Sequence, residues 1–223
     1  MIIEPIARFR SPFSSKFGIP KQSGMVKCLE GTIVFEPKYR NPDMIRGLDG
    51  FDYIWMIWEF STNKHEASSP VVRPPVLGGN EKVGVFATRS PFRPNRLGLS
   101  SVRIARIRTY ADKGTVIDVI GADLMDGTPI YDIKPYVCYA DCHEGVRCGF
   151  VDSRRSAKLE VRFAPDVRQA LTEDEVTTLV EILSLDPRPR YHHNPEKTYG
   201  MPFSGYDVHF RVDGDVLTVV SLS

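Results

Sequence analysis

Six arginines and no acidic residue lie between Lys82 and Ala111, and three of them, Arg89, Arg93 and Arg96, share a short loop with Pro91, Pro94 and Asn95. Guanidinium forks match carboxylate and phosphate, so a local field of this kind addresses an anion. The prolines fix φ and push the residues before them toward extended geometry, which gives the loop one shape. An alternating run, Val83, Val85 and Ala87, enters the loop, and a strand-like run from Leu99 to Ile107 leaves it through Gly98. The pattern predicts strand, rigid basic loop, strand: a scaffold that holds cations still.

Three further stretches carry chemistry. Pro20-Lys21-Gln22 ends a segment rich in Ser, Gly and Pro, and combines a fixed turn, a cation and an amide that both donates and accepts; a solvated loop is the simpler account of it. Asp126-Gly127-Thr128-Pro129 is a turn by composition, and its residue types alone do not say whether it does more than turn. Arg188, Arg190 and Tyr191 open a segment that continues through His192, His193, Lys197 and Tyr199. Aromatics interleaved with cations suit single-stranded nucleic acid through stacking and phosphate contact, and a solvated loop fits equally well.

Cys138, Cys142, His143 and Cys148 are spaced as C-x3-C-H-x4-C, and three thiolates with an imidazole would complete a tetrahedral zinc shell. The second half lacks a paired spacing, so free thiols, buried or half-buried in a reducing compartment, are expected, and no metal.

The elements that must position these groups are mostly strands. Residues 1–10 read as an opening strand, Thr32–Glu36 as a second, and Asp49–Phe60 as a central strand buried on both faces, with Trp55 and Trp58 in the core. A long loop to Asn80 follows. Ser100–Ile107, Thr115–Ile120 and Ile133–Tyr136 are further extended segments. Short strands at regular spacing without a convincing helix up to Asp141 predict a closed or nearly closed β-barrel. No G-x-G-x-x-G follows a strand, so a Rossmann site has no support.

Beyond Gly149 the texture changes. Lys158–Phe163 reads as a strand, and Thr172 with Glu175 begins a capped helix with Val176, Leu179, Val180 and Leu183 on its apolar face. Tyr206–Val212 and Val216–Leu222 form a hairpin around Asp213-Gly214. The fold class expected is mainly β: an N-terminal β-barrel over residues 1–148 and a small C-terminal α+β domain over residues 149–223. With 223 residues and a net charge of +1, any nucleic-acid contact must come from clustered charge and not from overall basicity. No signal peptide or membrane-spanning run is visible, which points to the cytoplasm.

VGVFATRSPFRPNRLGLS, DGFDYIWMIWEF, DGTPIYDIKPY and DPRPRY occur in this order, and with them the chain resembles the TsaA/TrmO family of tRNA methyltransferases over nearly its full length. The resemblance implies a barrel that binds S-adenosylmethionine and acts as a homodimer. The implied reaction is methyl transfer to the N6 atom of N6-threonylcarbamoyladenosine beside the anticodon of threonine tRNA. By the same resemblance the donor contacts fall on Pro20, Lys21 and Gln22, on Ser61 and Thr62, on Arg89 and Leu99, and on Asp126, Gly127, Thr128 and Pro129. Family members often carry a histidine where this chain has Ser61.

The tRNA anticodon stem-loop is assigned to Arg93, Arg96, Arg188, Arg190 and Tyr191. No general base is identified; Asp126, Asp132 and Tyr136 are candidates by proximity to the donor turn. Two other classes fit the same residues: a non-catalytic RNA-binding barrel, and a small-molecule methyltransferase of the same fold.

Overall fold

The computed structural model describes residues 2–63, 69–78, 80–152, 158–188 and 194–223. Twelve strands appear among them. The first eight are β1 (Ala7–Arg10), β2 (Glu30–Phe35), β3 (Tyr53–Glu59), β4 (Val71–Val72), β5 (Val83–Gly84), β6 (Leu97–Tyr110), β7 (Gly114–Ile120) and β8 (Pro129–Pro135). A four-residue helix, α1 (Cys138–Asp141), precedes the C-terminal elements: β9 (Glu160–Phe163), α2 (Pro165–Ala170), α3 (Glu173–Ser184), β10 (Tyr199–Phe203), β11 (Tyr206–Asp213) and β12 (Val216–Leu222).

Six strands pair in the order β1-β2-β7-β6-β3-β8, and β8 returns to β1, so the sheet closes as a barrel. Alternation does the sorting. In β3, Ile54, Met56 and Trp58 point inward while Trp55, Ile57 and Glu59 stay half-buried outside. The central strand is therefore one-sided, and the expectation of burial on both faces fails. Trp58 is core at 6% exposure, whereas Trp55 sits on the outer face, where its Nε1 donates to Asp141 Oδ2 at 3.0 Å. Phe9, Ile33, Ile117, Val119, Leu124 and Ile130 fill the interior with them. Each such side chain contributes about 1.5–3 kcal/mol of burial.

Gly98 explains how β6 passes β3. The two strands place Gly98 opposite Trp58, and a Cβ there would lie 2.3 Å from the indole ring. Only a residue without a side chain lets the tryptophan close the barrel end.

The lead-in to the basic loop also differs from expectation. Val83 and Gly84 pair only with β4, and Val85–Ala87 turn as a 3₁₀ helix, so no barrel strand enters the loop. The outgoing strand is longer than its apolar run, fourteen residues with a bulge between Ile104 and Arg106.

In the C-terminal part β10, β11, β12 and β9 form a second sheet. Thr172 caps α3 as its sequence predicts: Oγ1 accepts from Glu175 N and Glu175 Oε2 accepts from Thr172 N at 2.9 Å. The segment read as a loop before the hairpin contains β10, whose Tyr199, Met201 and Phe203 are buried. This second core also takes in Phe13, Val26 and Leu29 from the connection between β1 and β2. No helix among the described residues is long and apolar enough to cross a membrane.

Candidate functional site

A cleft of about 450 Å³ opens at one end of the barrel, within the range of about 300–1,000 Å³ usual for small-molecule sites. Four separate pieces of chain line it. The β1–β2 connection brings Ile19, Pro20, Lys21 and Gln22; the end of β3 brings Trp58, Glu59, Ser61 and Thr62; the basic loop and start of β6 bring Thr88, Arg89, Arg93 and Leu99; and the β7–β8 connection brings Asp123, Met125 and Thr128. Eight of the residues singled out as donor contacts thus lie around one space: Pro20, Lys21, Gln22, Ser61, Thr62, Arg89, Leu99 and Thr128.

The walls are tied together by side chains. Arg89 Nη1 donates to Gln22 Oε1 across the cleft, joining two loops 67 residues apart in sequence. Arg96 Nη1 donates to Asn63 O at 2.8 Å, and its Nη2 lies 3.4 Å from Glu59 Oε1. Arg93 Nη1 donates to Thr88 O at 3.1 Å, which leaves its positive charge on a neutral acceptor. Leu99, 56% exposed, offers an apolar surface beside these cations.

The remaining donor-turn residues do a different job. Asp126 Oδ1 accepts from Ser11 N at 3.1 Å and Oδ2 from Arg10 Nη1 at 3.4 Å. Gly127 N donates to Phe9 O, and Phe9 N donates to Thr128 O. Pro129 is buried in β8 opposite Arg8. Asp126, Gly127 and Pro129 therefore clasp β1 to β8 and do not line the cleft.

None of the three candidate bases faces the space. Asp132 sits along β8 opposite Ile57, with Lys134 Nζ at 3.1 Å. Tyr136 packs its ring against Tyr53 and Trp55 on the outer face. The carboxylate that sequence reasoning missed is Asp123. Trp58 Nε1 donates to Ser100 Oγ at 2.9 Å, and Ser100 Oγ donates to Asp123 Oδ1 at 2.6 Å, a chain from the barrel core to the cleft. Desolvation raises the Asp123 pKa above its ordinary value, although Ser100 and the field of Arg89 oppose the shift. Asp123 lies three residues before the DGTP turn, and nothing in residue type sets it apart from Asp126; only the direction of the chain does.

The C-terminal candidates divide. Arg188 is held by Asp186, Nε to Oδ1 at 2.8 Å and Nη2 to Oδ2 at 3.0 Å, with its side chain 11% exposed. Arg190 and Tyr191 lie outside the described residues. Cys138, Cys142 and Cys148 are exposed free thiols and Cys28 is half-buried, so three of the four thiols are more open than expected. Among the described residues no group of three or more His, Cys, Asp or Glu is arranged to hold a metal ion.

A closed barrel whose end loops converge cations, amides and one raised carboxylate on a single cleft defines a small-ligand site without a Rossmann crossover. The relatives make the class specific. Residues 8–142 match the tRNA-methyltransferase O N-terminal domain and residues 156–223 match the TrmO C-terminal domain. The tRNA (adenine(37)-N6)-methyltransferase of Escherichia coli is 37% identical over 217 residues, covering 94% of this chain and 92% of that one. A putative S-adenosylmethionine-dependent methyltransferase, RcsF, of Pseudomonas aeruginosa is 34% identical over 94% of this chain and 91% of its own length. The crystal structure of TrmO from Pseudomonas aeruginosa superimposes with a TM-score of 0.80 at 28% identity, covering 100% of this chain and 98% of that one. The chain belongs to the TrmO family of S-adenosylmethionine-dependent tRNA methyltransferases.

Proposed function

We propose that this chain methylates the N6 atom of adenine 37 in tRNA, with N6-threonylcarbamoyladenosine in threonine tRNA as the acceptor, and that the cleft holds the methyl donor. The observation that carries the reading is the convergence of Lys21, Gln22, Ser61, Thr62, Arg89, Leu99 and Thr128 on one space in a chain of this family. The donor set fits a zwitterionic nucleoside: a guanidinium and an ammonium for a carboxylate, amide and hydroxyl groups for polar edges, and Ile19 and Leu99 for an apolar face. S-adenosylmethionine, when bound, supplies a methyl group made electrophilic by its sulfonium.

The chain's own work is to align and to accept a proton. Holding two reactants in near-attack geometry is worth up to about 7–11 kcal/mol. The acceptor nitrogen must also lose its proton, and Asp123 Oδ is the acceptor we assign. It lines the cleft, Ser100 fixes it, and a raised pKa makes it a stronger base than an exposed aspartate. Asp126, Asp132 and Tyr136 are set aside because they face elsewhere. Replacing Asp123 by Asn should lower kcat by about 10²–10⁴-fold and leave donor affinity within a few-fold. Because the base must be ionised, wild-type kcat should rise with pH through a value above 3.8, and the variant should lose that limb.

Arg93, resting on a neutral carbonyl at the mouth, is the cation we assign to the tRNA backbone. We further infer a homodimer, supported by apolar surface on the basic loop and the turn leading into it, where Phe92 is 47% and Phe86 80% exposed; a monomeric mass at working concentration removes it. The reaction is tested with methyl-labelled S-adenosylmethionine and tRNA prepared with and without threonylcarbamoyl. Label in the modified tRNA alone supports the acceptor. Label in both makes adenine 37 the acceptor without the modification, and donor binding with no label in any tRNA defeats the reading.

A further inference from the structure

The segment from Ser11 to Leu29 supplies Lys16, Ile19, Pro20, Lys21 and Gln22 to the cleft, yet it contains no helix and no strand. With no ladder of its own, its shape must come from what it touches. The barrel ties it by three backbone hydrogen bonds, Asp126 N donating to Phe13 O at 2.9 Å, Gly24 N to Gly121 O at 2.8 Å and Gly121 N to Leu29 O at 2.8 Å, and the C-terminal part of the chain packs against the rest. Phe13 is fully buried in the C-terminal core, its ring 5.7 Å from that of Phe203, and Phe17 stacks at 6.3 Å on Phe210. Gly18, at φ +91, lies so close to Met201 that a Cβ would meet its sulfur at 2.1 Å. Ser204 N donates to Pro12 O at 3.1 Å. At the far end, Glu181 of α3 turns its carboxylate onto the backbone: Lys27 N donates to Oε2 at 2.5 Å and Cys28 N at 3.4 Å.

These anchors stand on both sides of Ile19–Gln22. We infer that the C-terminal part shares with the barrel in holding the donor wall, and that Glu181 is a positioning residue for the methyl donor that acts through the backbone of Lys27 and Cys28. The inference rests on reading the cleft as the donor site. In this arrangement the C-terminal part is no separate tRNA-binding attachment, since removing it would unseat Gln22 and with it the partner of Arg89.

The test compares the full-length protein with Glu181→Ala, Glu181→Gln and Arg89→Ala. Donor Kd is measured by calorimetry with S-adenosylmethionine, tRNA Kd by filter binding, and order in residues 11–29 by amide hydrogen exchange. Glu181→Ala should weaken the donor about ten-fold, the loss expected when a charge-assisted hydrogen bond is removed. It should speed exchange in residues 11–29, leave β11 and β12 protected, and leave tRNA affinity unchanged. Glu181→Gln, which keeps an acceptor oxygen, should recover most of the donor affinity. A donor Kd unchanged in Glu181→Ala while Arg89→Ala weakens binding overturns the positioning role and leaves the cleft reading intact. An Arg89→Ala protein that binds donor normally overturns the cleft reading itself. Loss of donor and tRNA affinity together with protection in β11 and β12 reduces Glu181 to general stability and also defeats the inference.

Discussion

Arg89 and Arg93 of the basic loop and the strand pair Arg106 and Arg108 come from one acid-free stretch of sequence, and they end in different circumstances; Arg96, the loop's third arginine, lies 3.4 Å from Glu59 and sides with the strand pair. On the strand, both guanidinium groups close on Asp118, at 2.8 and 2.6 Å, and Thr32 Oγ1 donates to its other oxygen at 2.7 Å. Asp118 has a side chain only 2% exposed, and Arg106 reaches Glu30 as well. There the positive charge is spent on folding. On the loop, Arg89 and Arg93 hydrogen-bond to a neutral amide and a neutral carbonyl, which hold geometry without cancelling charge, although Arg89 also feels Asp123 across the cleft. The difference teaches that a run of arginines is not a binding surface until the acceptors facing it are known. Carboxylates neutralise, carbonyls only aim.

The largest effect should fall where charge is spent. Asp118→Ala leaves two half-exposed arginines without their carboxylate and Thr32 without its acceptor, which costs about 2–3 kcal/mol and lowers the melting temperature by roughly 5–10 °C. Donor affinity, measured where the variant is folded, should stay within two- or three-fold. A collapse of donor binding in the folded variant would break the division between the two regions.

Next comes the loop. Arg89→Ala should weaken S-adenosylmethionine by roughly 10–100-fold, the range of a lost charged hydrogen bond, with little change in melting temperature. Arg93→Glu should act on the other ligand. Its tRNA Kd should rise, the slope of log K against log salt should shrink by about one phosphate contact, and the loss of tRNA affinity should exceed any change in donor affinity. Unchanged tRNA binding would remove Arg93 from the interface.

The smallest effect is a pH dependence. Burial alone would raise the Asp118 pKa, but hydrogen bonds from Arg108, Thr32 and Arg106 bring it below its ordinary 3.8. A carboxylate depressed in the folded state stabilises fully above its unfolded value and loses that contribution as pH falls through the folded one. Acid unfolding below about pH 4 should therefore shift in Asp118→Asn, and Arg93 variants should leave it where it is.

Much of the fold was legible because its signals are local. The existence of a strand over β3, the Thr172 and Glu175 capping box and the Asp213-Gly214 hairpin depend on neighbours within a few residues. The short β10 is not visible in the sequence pattern: Gly200 and Pro202 interrupt it, and its burial depends on Phe13, nearly two hundred residues away, as well as on Phe210 of the next strand. The outer face of β3 was misjudged because Trp55 and Ile57 are apolar but are covered only in part.

Of the site, the sequence by itself determined which loops matter and the resemblance that joins them, since Pro20 to Gln22, Arg89, Leu99 and Thr128 are marked by residue type and motif. Tertiary structure alone decided that Asp123 and not Asp126 enters the cleft, that Arg188 is bound by Asp186, and that a helix near the C-terminus holds the loop near the N-terminus. The reason is physical. A turn residue's direction is set by the strands it connects, and a charge's availability by the acceptors brought beside it from elsewhere in the chain.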